Sequence, residues 1–394
     1  MRVLVVHNRY SSRSPSGENL AVDDEIRWLG EAGVDVVSHQ VSNDEMVDVG
    51  PLARVRDGLG AVWSLGARRR FEAALDESRP DLVHVHNLFP LLTSSVPTAA
   101  RRRTLPVVWT VHNRRVRCVA GGYFRGGEPC HECRPGWRVP GVVHGCYADS
   151  RSASALVTAS TSLWRRAARR SVTAVAISEL IADWLTTTGG FPRTAVRVKL
   201  NGVAGPEDRP PPAGEQRGFL FVGRLSAYKG VALLLDAWRR ADVDAELHIL
   251  GDGDLAGDVR AAADADPRIR WAGQVPPAAV AAHLAAARAV VVPSLVDEGF
   301  GRVAAEAMAH GRPVITTGRG ALTEVVDDTT GWITGTDPAA VAAAIAEAAA
   351  SPGAVDHRGE AAVVRHAARF SPRVTTDALL AIYEEAVAER RPAE

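Results

Sequence analysis

Short apolar runs alternate with amphipathic helical stretches along nearly the whole chain, and that alternation leaves few folds open. Strands are predicted at 2–7, 34–38, 81–86, 106–111, 173–177 and 195–200, with helices at about 18–31, 66–77, 91–102, 150–169 and 178–187. A strand–helix–strand order calls for mainly parallel sheets with helices on both faces. The order breaks between Gly205 and Gly218, where four prolines, three of them consecutive at Pro210 to Pro212, stiffen the chain and remove backbone donors. This stretch reads as a linker. Alternation then restarts, with strands at 218–223, 244–250, 268–272, 289–292 and 313–316 and helices at 229–240, 255–264, 277–286, 301–310 and 337–350. A last helix near 371–390 follows Phe370-Ser371-Pro372, a cap and a first-turn proline. At 394 residues the expected architecture is two Rossmann-like α/β domains, 1–204 and 219–370, joined by 205–218 and closed by a helix over 371–394.

Composition narrows the partners. Charged residues make up 23% of the chain, with 46 basic against 46 acidic side chains, so the charge balance gives nucleic acid no foothold. Met1-Arg2-Val3-Leu4-Val5-Val6-His7 reads as a first strand, too short and too soon polar for a signal peptide. No apolar run approaches the roughly 20 residues of a membrane span, and a cytoplasmic location is expected. Arg68-Arg69-Arg70 and Arg101-Arg102-Arg103 read as solvated helix faces, with a peripheral membrane contact as the alternative. Only two of the basic residues are lysines, Lys199 and Lys229; the rest are arginines.

Three segments of the C-terminal half follow predicted strands, where open parallel sheets bind ligands. In Gly223-Arg224-Leu225-Ser226-Ala227-Tyr228-Lys229-Gly230 a strand ends in glycine and Lys229 stands where the next helix begins. A cation there opposes the helix macrodipole unless an anion lies between, so Arg224, Lys229 and free helix N–H groups suit a pair of phosphates. The plain alternative is a surface loop. Gly251-Asp252-Gly253-Asp254 is either an ordinary turn or a place where backbone approaches a ligand. In the third segment Glu298 precedes Gly299-Phe300-Gly301, and Glu306 lies about a turn inside the following helix. Carboxylates accept hydrogen bonds from sugar and ribose hydroxyls, and the glycine-flanked N–H groups suit phosphate or sugar oxygens. The small residues around Glu306 predict that it is buried and needs a partner.

All four cysteines fall between 118 and 146, as Cys118, Cys130, Cys133 and Cys146. The central C-x2-C is a chelating spacing, and four thiolates complete a tetrahedral zinc shell. Structural zinc is the preferred reading, with free thiols and disulfides as alternatives. The insert, residues 114–147, follows His112 and is expected to flank an acceptor pocket, with Arg114, Arg115, Arg117, Tyr123 and Trp137 as candidate lining.

Glu298-x7-Glu306, after Pro293-Ser294 and before Ala307-Met308-Ala309-His310-Gly311-Arg312-Pro313-Val314, resembles glycosyltransferase family 4. So do Gly223-Arg224-Leu225, Lys229-Gly230 and Gly251-Asp252-Gly253. The likeness extends to Val83-His84-Val85-His86-Asn87, Thr110-Val111-His112-Asn113, Ala176-Ile177-Ser178-Glu179 and Asn201-Gly202-Val203, and so covers nearly the whole chain. It implies a retaining transferase of the GT-B fold, two domains facing across a cleft with the last helix crossing back to the first, in a subgroup carrying a four-cysteine insert. It further implies that Arg224 and Lys229 bind the donor diphosphate near Gly223, Gly251 and Gly253. Glu306 would hold the ribose. Glu298 would contact donor-sugar hydroxyls, with the N–H groups of Gly299, Phe300 and Gly301 nearby. His112 would face the reacting carbon, Gly17 would lie near the phosphates, and His86, Asn87 and Asn113 would lie on the acceptor side. The family usually has adjacent glycines where this chain has Ser16-Gly17, a departure at Ser16.

Such a transfer needs a stabilised leaving phosphate, which Arg224, Lys229 and helix N-termini can supply without a metal. A front-side path is preferred, in which the departing phosphate takes the acceptor's proton; Glu298 as a covalent nucleophile is the alternative. Domain closure would keep water out. A UDP-sugar is favoured over a GDP-sugar as donor, and the acceptor is a hydroxyl of a glycan, a lipid-linked sugar or a natural product. Glu18, Asp23, Asp24 and Glu25 read either as a solvated helix start or as a pull on a cationic acceptor. The rival readings are a sugar-nucleotide epimerase or glycogen-phosphorylase-like enzyme, a non-catalytic sugar-nucleotide binder and an NAD enzyme; the last needs Gly-x-Gly-x-x-Gly after the first strand, which residues 7–18 lack.

Overall fold

The computed structural model describes residues 1–12, 16–46, 62–133, 138–169 and 171–389. Trp137, a candidate pocket residue, lies outside them. In chain order the first strands are β1 (Arg2–Arg9), β2 (Asp35–Ser42), β3 (Leu82–Val85), β4 (Val107–Val111), the small pair β5 (Phe124–Arg125) and β6 (Glu128–Pro129), β7 (Thr173–Ala176) and β8 (Val196–Val198). Then come β9 (Gly218–Val222), β10 (Glu246–Leu250), β11 (Ile269–Gly273), β12 (Ala287–Val292), β13 (Val314–Thr316) and β14 (Gly331–Ile333). The chain divides into two compact units, one of Met1–Tyr123, Cys130–Gly202 and Thr375–Glu394, the other of Phe124–Pro129 and Val203–Val374.

The first unit holds a six-stranded sheet in the order β2-β1-β3-β4-β7-β8, and every pairing in it is parallel. Its inner strands are apolar and buried on both faces, as helix-covered parallel strands must be. Helix Gly17–Glu31 is capped by Ser16, whose hydroxyl accepts from the Glu18 N–H at 3.2 Å. The Ser16 backbone is extended, with φ −124°, so the residue that departs from the family pattern serves as an N-cap and needs no glycine. The last helix, Pro372–Ala388, packs Leu379, Ile382, Tyr383 and Ala386 on Val3, Val5, Leu82, Val108 and Val175.

The second unit holds a parallel sheet in the order β11-β10-β9-β12-β13-β14. Phe219, Phe221, Trp238, Ile249, Val291, Ile315 and Ile345 fill its core. The proline-rich stretch 205–218 lies within this unit's contacts and is pinned to it. The Gly214 N–H donates to Asp356 Oδ1 at 2.7 Å, Arg288 donates to Gly214 O at 2.8 Å, and buried Arg312 donates to Pro211 O at 2.7 Å. Proline removes donors but leaves carbonyls, and two buried arginines use those carbonyls to tie the segment down.

Sequence reasoning missed the three-residue β14, the β5–β6 pair and helix Pro352–Arg369, which starts directly after helix Pro338–Ala350 with only Ser351 between. The helix expected from 91 begins at Ser95, because Thr93 takes a left-handed φ of 59° that no helix interior accepts. Among the described residues no single helix is long and apolar enough to cross a membrane, although the bent pair Pro338–Ala350 and Pro352–Ala388 passes that test together.

Candidate active site

Each sheet reverses its strand order once, between β9 and β12 in the second unit and between β1 and β3 in the first. Crevices beyond the carboxyl ends of strands at such a point are where open α/β sheets bind ligands. The sequence motifs fall there.

In the second unit the loop after β9 carries exposed Arg224 and half-buried Lys229, and the loop after β12 carries Ser294 and Glu298. Gly230 draws them together. Its φ is +73°, and a Cβ there would lie 1.8 Å from Pro293 O, so only glycine allows the contact. Lys229 Nζ then sits 2.6 Å from Glu298 Oε1, and Ser294 Oγ donates to the same oxygen at 2.6 Å. Burial pulls the Lys229 ammonium down, but the charge and hydrogen bond of Glu298 outweigh it and hold it above the usual lysine value. The anion that a lysine at a helix start requires is, within the protein, Glu298.

Gly299, Phe300 and Gly301 lead into helix Arg302–Ala309, which has no side-chain cap. The Phe300 ring is buried against Phe370, with centroids 5.7 Å apart, so only its backbone is left to meet a ligand. Glu306 is half-buried rather than buried, and its Oε1 accepts from Arg302 Nε at 2.8 Å. Gly251 has a structural use in the protein itself. A Cβ there would fall 1.9 Å from Gly223 O, and Leu225 N donates to Asp252 O at 2.9 Å. The Gly251-Asp252-Gly253 loop therefore lies backbone to backbone on the Gly223-Arg224-Leu225 loop and supports it.

The first unit builds a polar cluster at the ends of β1, β3 and β4. His86 Nδ1 lies 3.0 Å from His112 Nε2, and His84 Nε2 lies 2.8 Å from Thr110 Oγ1. Behind them Glu25 is buried, with Lys199 Nζ 2.5 Å from Oε2 and with His84 Nδ1 and His86 Nε2 each 3.3 Å from Oε1. The Tyr383 hydroxyl reaches His84 Nδ1 at 2.6 Å. Glu25, His84 and His86 have a spacing a metal could use, but the Lys199 ammonium already neutralises that carboxylate. Burial alone would raise the Glu25 carboxyl; Lys199 and the two histidines outweigh it and hold the carboxyl well below its usual range. Burial, followed by the neighbouring His86, pushes His112 well below the usual histidine value and His7 down to about 3, so both are neutral near pH 7.

His86, Asn87, His112, Asn113 and Arg115 line a cavity of about 50 Å³ together with Glu18. Asn113 Nδ2 donates to Glu18 Oε2 at 3.3 Å. The Asn87 side chain bonds to the backbone of Asn8 and Phe89, which fixes the loop after β3. Arg114 and Tyr123, expected beside the acceptor, are buried instead. The Arg114 guanidinium stacks on the Tyr123 ring at 5.0 Å, and Trp184 Nε1 donates to the Tyr123 hydroxyl at 3.2 Å. Exposed Gly17 opens the first helix, next to the Ser16 cap.

Sequence reasoning missed Glu25, Lys199, His7 and Tyr383. Glu25 had been grouped with a solvated acidic helix start, yet Ala21, Val22, Glu25, Trp28 and Leu29 are the buried face of one helix. A glutamate at i+3 within an apolar stripe, in a chain with only two lysines, was the available signal.

Comparison with known proteins gives the family. Residues 17–204 match the model of "Glycosyltransferase Family 4", and residues 216–351 match that of "Glycosyl transferases group 1". A D-inositol 3-phosphate glycosyltransferase of Geodermatophilus obscurus is 32% identical over 413 residues, covering 95% of this chain and 85% of that protein. Enzymes with the same description from Corynebacterium kroppenstedtii and Segniliparus rotundus are 36% and 37% identical, over 42% of this chain in each case and only 40% and 39% of their own lengths. Among solved structures, Anabaena HepE in complex with UDP matches with a TM-score of 0.70 at 16% identity, covering 98% of this chain and 100% of that one. Sucrose-phosphate synthase from Thermosynechococcus elongatus matches with a TM-score of 0.71 at 18% identity, covering 98% and 99%. These neighbours share the GT-B fold of two parallel-sheet α/β domains, and with matched family models across both halves and a full-length relative, the chain belongs to glycosyltransferase family 4.

Proposed function

We propose that this glycosyltransferase moves a sugar, with retention of configuration, from a UDP-sugar to a hydroxyl of a phosphate-bearing acceptor, without a catalytic metal. The observation that carries the reading is the Lys229–Glu298 pair at the β9/β12 reversal, beside exposed Arg224 and an uncapped helix start. A diphosphate offers Lys229 a stronger partner than one carboxylate, and Arg224 adds a second cation. Glu298, relieved of part of that pairing, accepts from donor-sugar hydroxyls, and Glu306 accepts from the ribose. As the anomeric bond breaks, the leaving phosphate gains charge that the two cations and the helix N–H groups stabilise. The same phosphate then takes the acceptor's proton. Glu298 is a poor nucleophile by comparison, because Lys229 and Ser294 both engage its Oε1. The resemblance gives His112 to the donor sugar; a neutral imidazole can hydrogen-bond there without placing a cation beside a carbon that becomes positive.

UDP is favoured because the HepE neighbour was solved with UDP and with UDP-glucose. A phosphate-bearing acceptor is favoured by the relatives named as D-inositol 3-phosphate glycosyltransferase and phosphatidyl-myo-inositol mannosyltransferase. Structural zinc on Cys118, Cys130, Cys133 and Cys146 goes with this reading. Its support is the C-x2-C spacing of Cys130 and Cys133, the Tyr123 N–H that points at Cys118 Sγ at 3.3 Å and the bond that Cys133 receives from Gly141; among the described residues the four sulfurs do not themselves close to metal-ligand spacing, so the metal would have to draw them together. A cytoplasmic location, where thiols remain available to a metal, belongs with it. Metal analysis should find one zinc per chain. The transfer is tested with UDP-glucose, GDP-mannose and an inositol phosphate, following nucleotide release and the anomeric coupling of the product by NMR. UDP release with an α-linked product is expected; an inverted product, or turnover only with the GDP-sugar, refutes the reading.

A further inference from the structure

The first unit has a cavity of about 710 Å³ at the end of helix Arg151–Ala168, lined by Ser162, Arg165, Arg166, Arg169, Thr186 and Phe191 among others. Two more arginines stand behind it. Arg138 is buried, donating to Thr158 O at 2.5 Å and to the Thr161 and Ser162 hydroxyls, and Arg117 has a buried Nε without a hydrogen-bond partner. Among the described residues, none of these five arginines has a carboxylate within ion-pair distance. Other arginines of the chain do meet carboxylates: Arg2 meets Asp35, Arg9 Asp23, Arg103 Asp76 and Arg197 Glu385. A helix carboxyl end attracts cations, which accounts for Arg165 and Arg166, but that attraction fades within one turn and does not account for Arg117 and Arg138 arriving from the insert. Burial first, then the charges of Arg165 and Arg117, lowers Arg138 to about 10, and burial with Arg117 and Arg169 lowers Arg165.

We propose that this cavity is a binding site for a phosphoryl group, gripped by Arg165, Arg166 and Arg169 and assisted by the Ser162 and Thr186 hydroxyls. Guanidinium forks match phosphate oxygens two at a time, and an oxyanion would quench the repulsion among five unpaired cations. Phe191 and Pro192 supply an apolar wall for whatever carries the phosphate. The phosphoryl group can come from a soluble phosphate ester or from a lipid headgroup. Calling it part of the acceptor rests on the transferase reading above; the binding itself does not.

The full chain, saturated with UDP to fill the donor site, is titrated with inorganic pyrophosphate by calorimetry. The double variant R165Q/R169Q and the single variant R166Q are treated alike. All three are also sedimented with phosphatidylcholine vesicles, with and without phosphatidylglycerol. The parent should bind pyrophosphate in the presence of UDP, and the double variant should lose at least about tenfold in affinity, with UDP binding unchanged. Anionic-vesicle binding that disappears in the double variant names a lipid headgroup as the source, and pyrophosphate binding without vesicle binding names a soluble ester. If the double variant does not fold, R166Q at an exposed position should still weaken binding several-fold. The proposal is overturned if the parent binds neither probe, or if the variants bind as the parent does. If UDP itself fails to bind, the donor reading falls, while the pyrophosphate titration without UDP still reports on these arginines.

Discussion

The chain's only two lysines each bond to a glutamate, and the two pairs make an instructive contrast. Lys199–Glu25 in the first unit is sealed, at 2.5 Å with side chains 4% and 7% exposed. Lys229–Glu298 in the second is open, at 2.6 Å with side chains 30% and 15% exposed. Distance does not separate them; surroundings do. The sealed pair is closed in by His84, His86 and Tyr383, all of them buried. The open pair lies where two loops meet at a strand-order reversal, and its ammonium is partly exposed. A sealed ion pair shapes the fold, whereas an open one can give up its partner to a substrate.

The largest effect should come from breaking the sealed pair. Lys199→Met strands a carboxylate in the interior and should cost about 3–5 kcal/mol in urea unfolding, while the double change E25L/K199M should recover most of that loss. If the single variant is as stable as the parent, the pair is not sealed. Breaking the open pair should separate function from stability. Lys229→Ala should change stability by no more than about 1 kcal/mol, yet lower kcat/KM by on the order of 100–1,000-fold. A large stability loss with little kinetic change would reverse the roles assigned to the two pairs.

Acid should reach the sealed region first. His7, His84 and His112 stay neutral in the folded protein well below their ordinary value of 6.5, while the unfolded chain takes up protons there. Stability is therefore full above pH 6.5 and falls as pH drops below it, by about 1.4 kcal/mol per unit for each histidine. Glu25, depressed below its ordinary 4.5, adds a further loss below that pH. Lys229, raised above 10.5, contributes fully below that value and loses its contribution only as pH climbs past it. Unfolding midpoints measured from pH 7.5 to 5 should fall, and a flat profile would contradict the burial of the histidine cluster. The smallest effect is at the helix start: Ser16→Ala should cost about 1 kcal/mol through loss of the cap.

The two regions also differ in how far they could be read without a structure. The alternation of strand and helix reported the architecture, because parallel strands covered on both faces must be apolar throughout. The placement of Arg224, Lys229, Glu298 and Glu306 was legible because they sit in loops and helix starts next to strand ends, where position in sequence nearly sets position in space. The sealed cluster was not, since Glu25, His84, Lys199 and Tyr383 come from four distant segments that only folding brings together. Local reading also did not show that the missing side chain of Gly251 makes room for a neighbouring loop, or that Arg114 and Tyr123 are buried against each other within the insert.

The most direct test of the central claim, that the open pair is part of a nucleoside-diphosphate site, is a thermal-shift comparison with UDP, GDP and NAD at millimolar concentration. It should be run on the parent and on the Arg224→Ala and Glu306→Ala variants. A ligand at about 100 times its dissociation constant adds roughly 2.7 kcal/mol of stability. The account predicts a clear shift with UDP that both variants lose. A shift only with NAD, or a UDP shift that survives both substitutions, would contradict it.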